Sequence, residues 1–219
     1  MNILISKKIK QIISTTKLGI ITAKIAFTKE NPQLTERIKY EVKQIQNNLK
    51  LEDIKKLSPI STTRAAYRAL GKEPARYRPS AEALLRRIIQ GKNLYQINNI
   101  VDTINLASII TAFSIGGYDL DKIEGNITFD LGRKNEKYQA IGRGLINIEN
   151  LPVFRDSTGA FGSPTTDSER TKITEKTTKV LLIVINFGDI ENFDKTLENI
   201  KGLLEDYVNA ENCTRTIIE

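Results

Sequence analysis

Apolar residues in the first half of the chain recur at the spacing of helices. Before them, Leu18–Phe27 alternates between apolar and polar positions and predicts a strand. Four segments then repeat an apolar residue every three or four positions, as amphipathic helices do. The first predicted helix starts at Asn31-Pro32 and the second covers Ile60–Leu70. The third starts at Pro79-Ser80 and the fourth covers Ile100–Phe113. We expect the last of these to break at Gly116-Gly117.

After Gly117 the pattern changes to short apolar runs separated by Gly, Asn and Asp. The predicted short strands are Ile127–Leu131, Tyr138–Ile141, Leu151–Phe154 and Ala160-Phe161. Val180–Phe187 is apolar on both faces and predicts a central strand covered on both sides. Asp189 is expected to cap a last amphipathic helix that ends near Val208.

This order of elements predicts the fold class. Helices in the N-terminal half and a mostly antiparallel sheet in the C-terminal half indicate an α+β fold. A length of 219 residues favours a single compact domain. We therefore place residues 1–56, with their strand and helix, in the same domain as residues 57–219.

The composition excludes several kinds of chemistry. The chain has no His, which removes Ser-His-Asp and Cys-His nucleophiles and all His-based metal sites. The single Cys, Cys213, can form no internal disulfide, and we expect it in a solvated tail. No phosphate-binding GxxxxGK motif occurs, and Gly142-Arg-Gly144 opens no capped helix. We therefore expect no metal and no cofactor, while a mechanism based on Lys or a carboxylate stays possible.

The apolar runs are also too short for a membrane helix, because the longest is Val180–Ile185. The first residues contain no continuous apolar stretch of the kind found in secretory signals. We expect a cytoplasmic protein with no membrane partner.

The net charge of +7 is unevenly distributed. Residues 1–92 carry 20 Lys and Arg against 7 Asp and Glu, whereas residues 93–219 carry 13 against 19. Six of the twelve arginines lie between Arg64 and Arg87. Because Arg suits bidentate phosphate contacts, this segment predicts a surface that faces a polyanion. The alternative is an ordinary solvated helix surface.

Two groups of polar residues are candidates for a site. The segment Gly162–Lys172 offers hydroxyls, carboxylates and a cation between two predicted strands, although it could equally be a solvated connection. Asp102 and Asn105 share one face of a predicted helix, and Asp119 and Asp121 follow that helix. Helix caps and turn hydrogen bonds are the alternative for all four.

Four motifs in order carry a resemblance to a known family: Tyr77–Arg87 (YRPSAEALLRR), Val101–Asn105 (VDTIN), Tyr118–Gly125 (YDLDKIEG) and Ile173–Leu182 (ITEKTTKVLL). Together they resemble the editing module of the bacterial phenylalanyl-tRNA synthetase β subunit, and more closely its free-standing homologues, from about Leu57 to Phe187. In the synthetase this module hydrolyses the ester of tRNA wrongly charged with tyrosine. The resemblance therefore implies tRNA or aminoacyl-tRNA as the partner, with no aminoacylation activity.

The same resemblance places a substrate pocket and shows how it differs from the synthetase. Gly116 stands at the position of the synthetase's editing His, Tyr95 at that of its Arg, and Ile183 at that of the Glu that recognises the tyrosine hydroxyl. An Ile cannot accept a hydrogen bond, so tyrosine selectivity is not expected. The pocket residues implied are Asp102, Asn105, Gly116, Tyr118, Asp119, Gly162 and Ile183.

Three functions are compatible with the sequence. The first is a deacylase with its pocket between a Gly116–Asp119 turn and the Gly162–Thr171 loop. Its expected catalytic residues are Asp167, Glu169, Arg170 and Thr171, and its expected RNA-binding residues are Arg76, Arg78, Arg86 and Arg87. The second is a module that binds tRNA or another RNA without catalysis. The third is a protein that binds a free amino acid.

Overall fold

Two stacked β-sheets, with helices on one outer face, form the frame of the molecule. This computed structural model describes residues 1–188 and 190–219. The helices are α1 (Lys7–Ile12), α2 (Pro32–Asn48), α3 (Ser58–Ala69), α4 (Ser80–Ile89), α5 (Asn99–Thr111) and α6 (Phe193–Val208). The strands are β1 (Ile3–Ile5), β2 (Lys17–Lys24), β3 (Ile115–Asp119), β4 (Ile127–Leu131), β5 (Lys137–Ala140), β6 (Gly144–Asn147), β7 (Pro152–Arg155), β8 (Ala160–Gly162), β9 (Lys179–Asn186) and β10 (Glu211–Ile218). The predicted α+β class is confirmed.

The first sheet joins strands from distant parts of the chain. Its order is β10-β2-β9-β3 and all its pairs are antiparallel. Gly116 of β3 lies opposite Ile183 of β9, and Leu18 of β2 lies opposite Ile185. The second sheet has the order β1-β4-β7-β8, in which β1 and β4 are parallel, and β5 and β6 form a separate hairpin.

Strand β9 is buried on both faces, as its apolar sequence predicts. Leu182 and Val184 face α5 and α6, whose apolar stripes include Ile104 and Leu197. Their neighbours on β9 face the second sheet. This inner layer includes Leu181, Ile183, Ile185, Tyr118, Phe129, Phe154 and Phe161. The alternation of the strand therefore supplies two hydrophobic cores from one continuous apolar run.

The helices form a further core of their own. Leu34 of α2, Ile60 of α3, Leu85 of α4 and Leu106 of α5 are all buried in it. Helix α2 begins as predicted, because the Asn31 side chain accepts a hydrogen bond from the backbone N–H of Leu34 at 3.0 Å. This helical core holds α4 and α5 side by side, which positions the cavity described below.

The structure corrects three expectations about elements. Gly116-Gly117 does not break the helix but lies inside β3. Helix α5 ends earlier, at Thr111, and is followed by Ala112, whose backbone is left-handed (φ 59°). Cys213 lies half-buried in β10 and not in a solvated tail. Strands β1, β3, β6 and β10 and helix α1 have no counterpart among the predicted elements.

Two further expectations are only partly addressed. Asp189, predicted to cap the last helix, lies outside the described residues; the helix itself begins at Phe193, and its apolar stripe is buried as predicted. The N-terminal region supplies β2, which lies between β9 and β10. The division at residue 56 stays a prediction.

Candidate functional site

A cavity of about 420 Å³ opens between α4, α5 and strand β3. Its volume lies within the range of about 300–1,000 Å³ that is typical of small-molecule sites. Isoleucine, leucine and valine side chains form most of its wall. These are Leu84, Ile97, Val101, Ile104, Ile115, Ile141 and Ile173. The cavity therefore favours a ligand with an apolar part.

A few polar groups interrupt this apolar wall. Ser80 lies at the start of α4, and Asn105 and Ser108 lie three positions apart on α5. Asp167 lies in the middle of the Gly162–Lys172 segment, called the polar loop below, and Lys172 lies at its end. Within residues 1–188 and 190–219, no group hydrogen-bonds the Asn105 amide or the hydroxyls of Ser80 and Ser108. These three groups are free to bind a ligand, whereas the Lys172 ammonium is paired with Glu169 at 2.6 Å.

Asp167 is the one carboxylate among the described residues that line this cavity. Its Oδ1 accepts a hydrogen bond from the Tyr118 hydroxyl at 2.8 Å, and its backbone carbonyl accepts one from Ile141 N–H at 2.9 Å. Burial raises the pKa of Asp167 to about 7, although the Tyr118 hydroxyl and the backbone N–H groups of Ser163 and Gly117 favour its charged form. At neutral pH this carboxyl can therefore both give and take a proton.

The Tyr118 ring fills the place that the resemblance assigns to the substrate. Tyr118 is fully buried between the two sheets, and a Cβ added to either Gly116 or Gly162 would lie 2.1 Å from its hydroxyl oxygen. Ile183 is buried in the same layer, and none of these four residues lines the cavity. Burial raises the pKa of the Tyr118 phenol well above its usual range, so it stays a hydrogen-bond donor. Gly116 therefore replaces the family's His at a position where no side chain fits.

The polar residues expected around α5 do not gather in one pocket. Asn105 lines the cavity, but Asp102 lines a neighbouring one of about 470 Å³, and its carboxylate accepts a hydrogen bond from Ile97 N–H at 3.0 Å. Burial raises the pKa of Asp102. Asp119 is buried outside both cavities, where it accepts a hydrogen bond from the Thr177 hydroxyl at 2.8 Å. The predicted Gly116–Asp119 turn is itself the strand β3.

Of the four residues expected to be catalytic, the structure brings only Asp167 to the cavity. Arg170 donates to both carboxylate oxygens of Asp156 at 2.9 and 3.0 Å. Glu169 pairs with Lys172, and Thr171 is fully buried, with no hydrogen-bond partner for its hydroxyl in the described part of the chain. The polar loop is thus a fixed connection that presents Asp167. It is held further by a hydrogen bond between the hydroxyls of Tyr67 and Thr165 and by one from the Tyr138 hydroxyl to the Thr166 carbonyl.

The four arginines expected to bind RNA contact different groups: Arg86 and Arg87 lie on α4, whereas Arg76 and Arg78 precede it. Arg78 and Arg86 approach the buried Glu82, at 3.9 and 3.0 Å. Arg87 lies over the ring of the exposed Tyr95, at 4.0 Å from the ring centre, and donates to the Asn93 carbonyl. Arg76 lies over the ring of Tyr77. The family's Arg position is therefore an exposed Tyr that stacks on Arg87.

Sequence reasoning missed Ser80, Ser108 and Gly117 as cavity residues. Ser108 follows Asn105 by three positions on a helix that is otherwise almost entirely buried, and this polar pair was the available signal. Gly117 forms part of the cavity wall beside Ile104, whose Cδ1 would lie only 2.4 Å from a Cβ at position 117.

Two general features of the described residues bear on binding partners. In them, no three His, Cys, Asp or Glu side chains come together as a metal site would require. No helix in the same residues has the length and apolar character to cross a membrane.

Comparisons with known proteins give the relationship. The B3/4 domain family matches residues 62–200. The phenylalanine–tRNA ligase β subunit of Fusobacterium nucleatum subsp. nucleatum is 31% identical over 125 residues, which cover 56% of this chain and 15% of that protein. An N-terminal fragment of the phenylalanyl-tRNA synthetase β subunit from Pyrococcus horikoshii aligns over 99% of this chain and 50% of its own, with 15% identity and a TM-score of 0.48.

The chain thus spans only a small part of the ligase subunit that it matches. The match to the B3/4 family covers well over half of the chain and includes α4, α5 and the loop that carries Asp167. It also agrees with the motifs that indicated a relation to the synthetase β subunit. This chain belongs to the B3/4 domain family and is a homologue of that domain of the phenylalanyl-tRNA synthetase β subunit.

Proposed function

We propose that this protein binds the aminoacyl end of tRNA and hydrolyses the ester of tRNA charged with an apolar amino acid. The observation that carries the proposal is the Asp167 carboxyl, with a pKa near 7, on the wall of a mostly aliphatic cavity. The kinship with a tRNA ligase subunit supports tRNA as the carrier of the ester.

The chemistry requires one base and a donor for the developing charge. Asp167 as carboxylate takes a proton from a water molecule while the water oxygen attacks the ester carbonyl carbon. The bond between that carbon and the ribose oxygen then breaks, and the ribose oxygen takes up the proton. The products are the free amino acid and tRNA with a free terminal hydroxyl. The unpaired Asn105 amide and the hydroxyls of Ser80 and Ser108 are available to donate to the carbonyl oxygen.

The cavity wall indicates which amino acid is accepted. Seven aliphatic side chains line it, so an apolar acyl side chain gains free energy from burial there. A tyrosine hydroxyl would need a polar partner, and Ile183, which replaces the family's Glu, lies in the closed layer instead. We therefore expect esters of Leu, Ile, Val, Met or Phe to be preferred over those of Tyr and Ser.

The test is ester loss from a panel of charged tRNAs under single-turnover conditions, with buffer alone as reference. The rate should rise with pH to a plateau, with its midpoint near pH 7, because only ionised Asp167 can accept the proton. Asp167→Asn should reduce the rate at least 100-fold. Asp206→Asn, the same change at an exposed position of α6, is the matched control and should leave it unchanged.

A panel in which no ester is lost faster than in buffer would overturn the proposal. Full activity of Asp167→Asn would remove this carboxyl from the site. Salt-sensitive tRNA binding without any ester loss would favour the RNA-binding module, and binding of free amino acids without tRNA would favour the third function.

A further inference from the structure

Three arginines surround one buried carboxylate on the side of α4 that faces α3. Glu82 is fully buried, and Nη1 of Arg64 lies 2.9 and 3.1 Å from its two carboxylate oxygens. Nε of Arg86 lies 3.0 Å from Oε1, and Nε of Arg78 lies 3.9 Å from the same atom. Arg64, Arg78 and Arg86, together with Glu82, are called the arginine cluster below.

The arginine cluster carries more positive charge than its own carboxylate neutralises. Three guanidinium groups face one carboxylate, which leaves a net charge of +2. In the described part of the chain, no second Asp or Glu lies within 4.0 Å of these guanidinium groups. Nε of Arg78 is buried and has no hydrogen-bond partner there. The Arg78 side chain as a whole is 42% exposed, so its terminal N–H groups, which bond to no described residue, can reach a ligand.

The hydrogen bonds to Glu82 also leave donors free in a fixed arrangement. Glu82 engages only Nη1 of Arg64 and only Nε of Arg86, and no other described residue bonds to the remaining N–H groups of these two guanidiniums. An Arg side chain usually loses conformational entropy when it binds a phosphate. The hydrogen bonds to Glu82 already fix the side chains of Arg64 and Arg86, so less entropy is lost when a ligand binds. The buried Glu82 carboxylate therefore fixes the guanidiniums of Arg64 and Arg86 in place, with some of their N–H groups left for a ligand.

Basic side chains continue beyond the cluster. Arg68 follows Arg64 by one helical turn on α3 and is exposed. Lys72 and Arg76 lie on the ring of Tyr77, 4.9 and 5.6 Å from its centre. The cluster is thus the ordered centre of a larger positive surface, which fits a polyanion better than a single small anion.

We infer that Arg64, Arg78 and Arg86 bind backbone phosphates of an RNA. The choice of RNA rests on the proposed function; the surplus charge and the unpaired Arg78 donor are independent of it. Ser80 and Leu84 of α4 line the cavity, whereas Glu82 and Arg86 lie on the other side of this helix. An α-helix with its side chains is about 10–12 Å across. An RNA whose 3′ end enters the cavity therefore crosses α4 onto the arginine cluster.

The test is the affinity of uncharged tRNA at several salt concentrations for the wild type and Arg78→Gln. Arg78 makes no hydrogen bond to any described residue, so its loss should leave folding intact, which thermal unfolding checks. We expect the affinity to fall about tenfold and the slope of log K against log salt to decrease by about 0.7–0.9, the value for one phosphate contact. Arg133→Gln, the same charge change at an exposed loop position, is the control.

Several outcomes would overturn the inference. These are no tRNA binding by the wild type, an unchanged affinity and salt slope in Arg78→Gln, or an equal loss in Arg133→Gln. Wild-type hydrolysis of an aminoacyl ester of adenosine, which lacks the RNA backbone, decides the proposed function separately. Binding that depends on Arg78 without any hydrolysis would refute the proposed function and leave this inference standing.

Discussion

The two faces of β3 differ in how completely they are filled. Gly116 faces the layer between the sheets, where the Tyr118 phenol occupies all the space above it. Gly117, the next residue, faces the other way, towards α5 and an open cavity. Asp167 reaches both faces, since it accepts a hydrogen bond from Tyr118 and lines the cavity. The pocket that the resemblance predicts lies on the filled face of this strand, and the cavity described here lies on the other face.

The face of β3 towards the second sheet, called the closed face, is filled by packed side chains. The face towards the cavity, called the open face, adjoins polar groups that have no hydrogen-bond partner among the described residues. On the closed face, apolar and aromatic side chains pack against each other and the one hydroxyl is bonded. On the open face, an amide and two hydroxyls have no partner in the described chain. Changes on the first face should therefore alter stability, and changes on the second should alter chemistry.

The largest expected effect is on Asp167, which joins the two faces. Its pKa is about 7 in the folded protein and 3.8 by default, so the folded state binds this proton more tightly than the unfolded one. Protonated Asp167 therefore stabilises the folded state, and this stabilisation is complete below pH 4 and is lost as the pH rises through 7. Relative to Asp167→Asn, the wild-type free energy of unfolding should fall by several kcal/mol over this window, at about 1.4 kcal/mol per pKa unit.

Urea unfolding of both proteins between pH 4 and pH 8.5 measures this difference. The comparison cancels the contributions of other groups, such as Asp156, whose pKa remains lowered by its bonds to Arg170 although burial opposes this. If the difference in free energy of unfolding between the two proteins stayed constant across this range, the pKa of Asp167 would be the same in the folded and unfolded states. The proposed burial of this carboxyl between the two faces of β3 would then be wrong.

The second effect contrasts the two glycines directly. Gly116→Ala places a Cβ 2.1 Å from the hydroxyl of a rigid, fully buried ring, and should cost about 3 kcal/mol of stability. Gly117→Ala places a Cβ 2.4 Å from Cδ1 of Ile104, a flexible chain end beside the cavity that can rotate away. It should cost less than about 1 kcal/mol. Urea unfolding at pH 7 measures both, and equal costs would contradict the difference between the faces.

The last comparison concerns Tyr118→Phe, whose expected cost is smaller than that of Gly116→Ala. This change removes the donor to Asp167 and should cost about 1–2 kcal/mol of stability. The lost hydrogen bond favoured the ionised carboxylate, so the pKa of Asp167 should rise further. The midpoint of the pH profile for ester hydrolysis should therefore move to higher pH. A midpoint that stays in place, or moves down, would show that the phenol does not tune the carboxyl.

Much of the frame could be predicted because local patterns determine it. The apolar run of β9 and the Asn31 cap of α2 each depend on neighbouring residues only. Strand β3 was missed because Gly116-Gly117 locally favours a break, while pairing with the distant β9 and packing against the distant Ile104 make it a strand. Strand β10 was missed because its exposed positions are polar and it pairs only with β2 in the sheet.

The candidate site was less predictable for the same reason. The sequence singled out Asp167, but its bond to Tyr118 joins residues 49 positions apart, and only the fold brings them together. The sequence also predicted Arg170 as a catalytic residue, but in the structure its guanidinium donates to the Asp156 carboxylate. The ion pair between Arg64 and Glu82 likewise joins two helices, so no spacing rule could reveal it.

The strand order β10-β2-β9-β3 also determines when the molecule can fold during synthesis. Strand β2 is made early, yet both of its partners, β9 and β10, come from the last fifth of the chain. At about 5–20 residues per second, the apolar residues Leu18 to Ile21 wait roughly 10–30 s before β9 is complete. The first sheet therefore closes only after β9 and β10 have been made, and until then the unpaired edges of β2 are a natural target for chaperones.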